Sequence, residues 1–159
     1  MILKLKDIID IFKDFAHKHK EINDFGWGMT YDIGTTFNMK MPYMWVTHRA
    51  PNRIIVAGKS SQTKLFNFSI ILADKINTQK NILATNGFLS DNSGDILNKI
   101  DLITHDLIAY LQNTLTGAHI SEDVSIELIY DETDDKVAGW LLDITIKAVY
   151  KNCINPIDD

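Results

Sequence analysis

Five histidines, one cysteine and 21 acidic residues are the side chains in this chain whose types suit acid–base, nucleophilic or metal chemistry, and their spacing decides whether they could perform it. His17 and His19 stand two apart in a segment with helical periodicity, so they project to different sides and do not readily chelate one ion. Asp101 and His105 are four apart and meet on one helix face. That is the spacing of a metal or acid–base pair, and equally of an exposed contact of small energetic weight. With no third ligand in view, the exposed contact is the simpler reading. His48 and His119 stand alone, and Cys153 lies near the end of the chain outside any nucleophile motif. A single cysteine also rules out an intrachain disulfide and a thiolate metal site.

The run Asp131-Glu132-Thr133-Asp134-Asp135 concentrates carboxylates, but it lacks the alternating oxygen ligands, central glycine and closing glutamate of a calcium loop. It reads as a solvated turn or as an acidic contact for a basic partner surface. Gly26-Trp27-Gly28 is a glycine pair without the strand and helix that make a phosphate cradle specific. No G-x-G-x-x-G, G-x-x-x-x-G-K, H-E-x-x-H or G-x-S-x-G occurs. The residues therefore predict neither an enzyme nor a cofactor or metal site. An enzyme of unfamiliar type would need His48, Asp101, His105 or Glu127 to converge in one cleft, and their spacing gives no reason for that.

The elements that position these residues form one domain over 1–159, a length that buries a real core but not two. With 45% hydrophobic and 23% charged residues, the composition is that of a soluble globular protein. No apolar run approaches the roughly 18 residues of a membrane span. The charged N-terminal segment lacks the apolar core of a signal peptide, so synthesis and residence in the cytoplasm are expected. A net charge of −5 argues against broad binding to a nucleic-acid backbone, while leaving room for a protein that lets DNA pass without gripping it.

Residues 3 to 19 have the stripe of an amphipathic helix, with Leu5, Ile8, Ile9, Phe12, Phe15 and Ala16 on one side. Residues 29 to 41 read as a loop. Tyr43 to His48 and Arg53 to Gly58 read as two short strands around a turn at Ala50-Pro51-Asn52. Lys64 to Asp74 alternates as a half-buried antiparallel strand, with Phe66, Phe68, Ile70 and Leu72 on one face. Asn77 to Gly94 is polar and long for a loop. Asp95 to Leu115 is the strongest helix, about 31 Å long, ending near Gly117. Val124 to Tyr150 is a hairpin of two long alternating strands whose acidic tip is exposed, and whose length suggests projection beyond the sheet. The order α-β-β-β-α-β-β predicts an α+β fold, an antiparallel four- to five-stranded sheet packed by two main helices.

Trp27 and the cluster Met39, Met41, Tyr43, Met44 and Trp45 are read as core or core edge, with an adaptable interface as the alternative use of such side chains.

The final strands, with Asp134-Asp135-Lys136-Val137-Ala138-Gly139-Trp140 leading into Leu142-Asp143-Ile144-Thr145-Ile146, resemble the C-terminal hairpins of tailed-bacteriophage neck and tail proteins. The preceding Gly-Asp-Ile-Leu-Asn-Lys-Ile and its helix look similar to the same group. The resemblance covers roughly residues 90 to 155 and points to tail-terminator, tail-completion or neck ring proteins. It implies a non-enzymatic virion subunit, made in the host cytoplasm, that forms a ring homo-oligomer. Such a ring contacts portal, neck or tail-tube proteins and leaves a channel for DNA. Interface candidates under this reading are Met39, Met41, Tyr43, Met44 and Trp45, and the acidic residues Asp131, Glu132, Asp134 and Asp135, with the loop 77 to 94. The competing expectation is a small cytoplasmic module that binds a ligand or peptide in a concave apolar site.

Overall fold

A computed structural model describes residues 3–29, 39–57, 61–76, 92–131 and 136–151. Helix α1 (Leu5–Lys18) is followed by strands β1 (Asp24–Trp27), β2 (Tyr43–Ala57) and β3 (Ser61–Lys75). Helix α2 (Ser93–Thr114) precedes β4 (Ala118–Ile120), β5 (Ser125–Asp131) and β6 (Val137–Lys151). The six strands make one sheet in the order β1-β2-β3-β6, and β4 and β5 share the outer edge of β6. All pairs are antiparallel except β1 with β2. The fold is thus α+β, as expected, with a mostly antiparallel, mixed sheet of six strands among the described residues rather than an antiparallel one of four or five.

Four elements differ from expectation for physical reasons. The segment Tyr43–Ala57 is one strand of 15 residues, not two strands around a turn. Its register slips between Arg49 and Arg53, where Pro51 cannot donate to a ladder. This strand is an edge there, among the described residues, so the missing donor is tolerated. The Gly26-Trp27 step, for which no strand is expected, lies in β1, and β4 is too short to register as a pattern. β6 does not project: it pairs with β3 from Ser61↔Lys151 to Lys75↔Val137, which places it centrally in the sheet. Of the long polar segment, Ser93 and Gly94 open α2, while 77–91 lies outside the described residues.

Both helices cover one sheet face. α1 lies against β1 and β2, and α2 against β3, β4 and β6. The expected stripe of α1 is buried at Ile8, Ile9, Phe12, Phe15 and Ala16. Phe12 meets Phe68 edge to face at 5.2 Å between ring centres. Lys4 donates its backbone N–H to the Asp7 carboxylate at 2.8 Å, closing the first turn of α1. On α2, Ile96, Ile100, Ile103, Leu107 and Leu111 are buried against Ile70, Leu72, Leu142, Ile144 and Ile146. Trp140 is half-buried, its indole N–H donating to the Leu97 carbonyl at 3.2 Å. α2 stops where its C-terminal turn passes into Gly117, whose φ of +73° suits a residue without a Cβ.

The strands outrun the helices. Fifteen residues extend about 50 Å, against about 33 Å for the 22 residues of α2. The distal parts of β2, β3 and β6 form a blade, whose helix side meets the N-terminal segment at Leu3 and Leu5 and whose β6 edge meets the chain after α2, where the Val149 N–H donates to the Gly117 carbonyl.

Gly139 sits where β3 and β6 approach most closely. A Cβ there would stand 2.0 Å from the Leu72 carbonyl oxygen and 2.7 Å from the Ala73 Cα. Gly94, inside α2, has nothing within 4 Å of that position. Gly139→Ala should cost about 1–3 kcal/mol by forcing backbone apart, whereas Gly94→Ala should be neutral or add up to about 1 kcal/mol. Urea unfolding midpoints of the two variants check this, and equal midpoints would contradict the packing described.

Candidate functional site

The residues singled out for chemistry do not converge. His48 lies on the helix side of β2, its ring 5.5 Å from that of Phe68 and its Nε2 2.9 Å from the Asn52 side-chain oxygen. Glu127 pairs with Leu141 on the opposite sheet face. Asp101 and His105 are 3.7 Å apart, with both side chains well exposed. His19 meets Asp106 of α2 at 3.2 Å, and His17 points to solvent. No group of three potential metal ligands exists among the described residues.

Among the described residues, one cluster of perturbed acidity lies at the joint between the helices. The Asp14 carboxylate accepts from Lys18 at 2.6 Å and from the Tyr110 hydroxyl at 2.5 Å. These two hydrogen bonds hold its pKa below the ordinary carboxylate value of 3.8. The same bond to Asp14 raises the Lys18 ammonium and, from the other side, the Tyr110 phenol. Phe15 stacks at a tilt on Tyr110, 5.4 Å between centres, so the cluster ties α1 to α2.

The sheet face away from the helices is more varied. At one end Tyr43, Trp45 and Ala73 are buried, with Met39, Met41, Ile71 and Val137 packed around them. The indole of Trp45 lies over Gly26, where a Cβ would stand 2.3 Å from the ring. This explains the glycine more simply than a phosphate does. Burial raises the pKa of the Tyr43 phenol. Met44 points the other way into the main core and is fully buried. Tyr43, Met44 and Trp45 therefore have almost no side-chain surface to offer a partner, and Met39 and Met41 are half-buried against them. Trp27 is exposed.

Beyond this cluster the face turns polar. Asp143, at the centre of β6, accepts from Arg49 Nη1 at 2.5 Å and from the Ser69 hydroxyl. Thr145 donates to Asn67 at 2.8 Å on the adjacent rung. The buried Thr47 hydroxyl has no hydrogen-bond partner among the described residues. The strip belts β2, β3 and β6 together without forming an enclosed site.

Past the polar strip, the blade exposes apolar side chains on both faces: Ile54 at 60%, Ile55 at 52%, Val56 at 67% and Val149 at 42%. β1 covers β2 only from Tyr43 to Val46, so no described strand pairs with the outer side of β2 beyond that point. On the helix side, Leu3, Lys4, Leu5, Ile54, Gln62, Lys64 and Tyr150 line an open groove of about 320 Å³. The Tyr150 hydroxyl donates to the Leu3 carbonyl at its floor, at 2.6 Å.

At the opposite corner, β5 rests on β6 alone among the described strands. Its Ile126, Leu128 and Tyr130 lie on the helix side of the sheet yet are 45%, 57% and 36% exposed. Of the acidic tip, Asp131 ends β5, its side chain undescribed, and Glu132, Asp134 and Asp135 lie outside the described residues. Sequence reasoning missed the apolar run at residues 54 to 56, although three consecutive apolar residues in a strand imply that both faces carry them.

No described helix is long and apolar enough to cross a membrane. Comparison with protein-family models and with curated proteins finds no match.

Two outcomes test this account. Asp143→Ala leaves the nearly buried Ser69 hydroxyl without its acceptor and should cost about 1–3 kcal/mol. Asp143→Asn keeps an acceptor and loses only the exposed ion pair, a cost of less than about 1 kcal/mol. Equal losses in denaturant titrations would contradict the Ser69 assignment.

A carboxylate with a lowered folded pKa contributes stability above its ordinary value, and loses it as the pH falls through the folded one. Asp14→Asn should therefore flatten the acid limb of stability against pH below about 4. Urea midpoints measured from pH 5 to 2 check it; an unchanged slope would count against the Asp14 hydrogen bonds.

Proposed function

We propose that the chain is a structural subunit of a bacteriophage neck or tail end, a tail terminator or head–tail connector. It assembles as a ring around the DNA channel, in contact with portal, neck or tail-tube proteins, and resides in the virion. The observation that carries the reading is the pair of exposed apolar strand edges, unpaired by any described strand, at opposite corners of one sheet. A monomer gains nothing from exposing Ile54, Ile55 and Val56 at one corner and Ile126, Leu128 and Tyr130 at the other. Contacts at two different patches are what head-to-tail association into a ring requires. The likeness of the C-terminal hairpin and its preceding helix to neck and tail proteins supports the same reading. The acidic balance suits a channel through which DNA passes without adhering.

A second reading, a small ligand- or peptide-binding module, is favoured by one observation: the groove between the N-terminal segment and the blade, with Lys4 and Lys64 beside Leu3, Leu5 and Ile54. It predicts a monomer whose melting temperature rises with a cognate ligand.

Negative-stain electron microscopy and light scattering decide between them. The purified protein at high concentration, alone or with portal or tail-tube proteins, should form closed rings with a central hole. Uniform monomers under every condition would overturn the ring and leave the groove as the lead.

A further inference from the structure

We infer that copies of this chain join by continuing the sheet, the outer edge of β5 in one copy pairing with the distal edge of β2 in the next. This deepens the ring reading and rests on it, by naming the surface through which the subunits meet.

Strand direction is the first argument. Across β2-β3-β6-β5 the strands alternate in direction. Four alternating strands bring a second copy, added in the same orientation, to an antiparallel junction between β5 and β2. A strand edge presents a row of backbone N–H and C=O groups at the spacing another edge needs. On β2 the slipped register and Pro51 interrupt that row only between Arg49 and Arg53. From Arg53 onward the strand regains its regular pairing with β3, and its outer side faces no described strand.

The two edges also match face by face. On the helix side of the sheet, β2 offers Ile54 and Val56, and β5 offers Ile126, Leu128 and Tyr130. On the other side, β2 offers Arg53 and Ile55, and β5 offers Glu127 and Ile129. Apolar side chains therefore meet apolar side chains on one face, while the other face brings an arginine and a glutamate into diagonal reach beside Ile129 and Ile55. Setting Ile54 opposite Leu128 brings Val56 opposite Ile126 and leaves Arg53 diagonal to Glu127, within the reach of long side chains. The wider charge pattern agrees. The segment leading into β5 carries exposed Glu122 and Asp123, while the β2 edge carries exposed Arg49 and Arg53. Arg49 already holds Asp143 of its own sheet, which leaves Arg53 as the cation of the junction.

The position of the edges fixes the arrangement of copies. β5 sits level with the start of β2, since Leu128 pairs with Trp140, Trp140 with Leu72, and Leu72 with Met44. Ile55 sits level with Thr63, nine residues of β3 further along, a stagger of about 30 Å. Neighbouring copies are thus offset along the strands, so the strands slant relative to the ring axis, as closed sheets require. An isologous pairing of β2 with β2 would set Arg53 near its own copy and leave the β5 edge bare.

Cysteine cross-linking tests the junction in the full chain, with Cys153→Ser as background. Ile54→Cys and Leu128→Cys proteins, mixed and oxidised, should give disulfide-linked dimers on non-reducing electrophoresis, since directly opposed strand residues fall within disulfide reach. Either variant alone should stay unlinked, and the doubly substituted chain should give a ladder of multimers. Linkage of Ile54→Cys to Ile126→Cys or Tyr130→Cys instead shifts the register by two residues and still supports the pairing. Arg53→Glu should weaken assembly tenfold or more in sedimentation, and adding Glu127→Arg should restore it.

Micrographs of the same samples separate the two levels of the reading. Rings without any of these cross-links, or Ile54→Cys linking to itself, would overturn the edge pairing while the ring stands. Monomers throughout would overturn both. Thermal melts of the cysteine variants, all at exposed positions, should match the parent and show that a missing cross-link is not a folding failure.

Discussion

The ladder between β3 and β6 is the interaction on which the rest of the structure depends. It runs unbroken for the full length of both strands, from Ser61↔Lys151 to Lys75↔Val137. It joins two segments far apart in the chain, so its closure fixes the long intervening segment that contains α2, β4 and β5. Every other element is placed relative to it. β2 extends it on one side, β4 and β5 on the other, and α2 lies across the pair. The close approach at Gly139 marks where these two backbones tolerate no side chain between them.

That ladder gives the sheet two unlike faces. The helix side is a continuous core of Phe, Ile and Leu, in which aromatic pairs such as Phe12 with Phe68 lock α1 to the sheet. The other side has a small aromatic cluster around Trp45, a polar belt around Asp143, and an apolar blade. Hydrogen bonds to Asp143 and Asn67 hold the belt in a fixed form. The groups with shifted acidity either tie helix to helix or are buried in packing.

Much of the fold was legible in the residues themselves. The stripe Ile8-Ile9-Phe12-Phe15-Ala16 and the face Ile96-Ile100-Ile103-Leu107-Leu111 repeat with the period of a helix, and both are buried as that period requires. The alternation Phe66-Phe68-Ile70-Leu72 likewise states which face of β3 is inside. The candidate interface read from methionine and aromatic content was less legible. Tyr43, Met44 and Trp45 are adjacent, so in a strand they divide between two faces, and only the packing on each face showed both to be buried within the chain. The function proposed above draws in part on the likeness expected from the C-terminal hairpin, which the fold neither requires nor excludes.

What the sequence determined by itself is local: which segments are helices, which strands alternate, and that no catalytic constellation has a recognisable spacing. These follow from periods of two and 3.6 residues and from motif spacing, which need no partner segment. What only the tertiary structure decided is neighbourhood. It made Tyr43–Ala57 one strand, because β3 supplies a continuous ladder that carries the chain past Pro51. It made 24–27 a parallel strand, because β2 lay alongside to receive it. It also left Ile54–Val56, Ile126 and Leu128 exposed, because no described strand pairs with the outer side of β2 beyond Val46 or with the outer side of β5. Exposure is a relation between distant segments, and no local pattern of residues contains it.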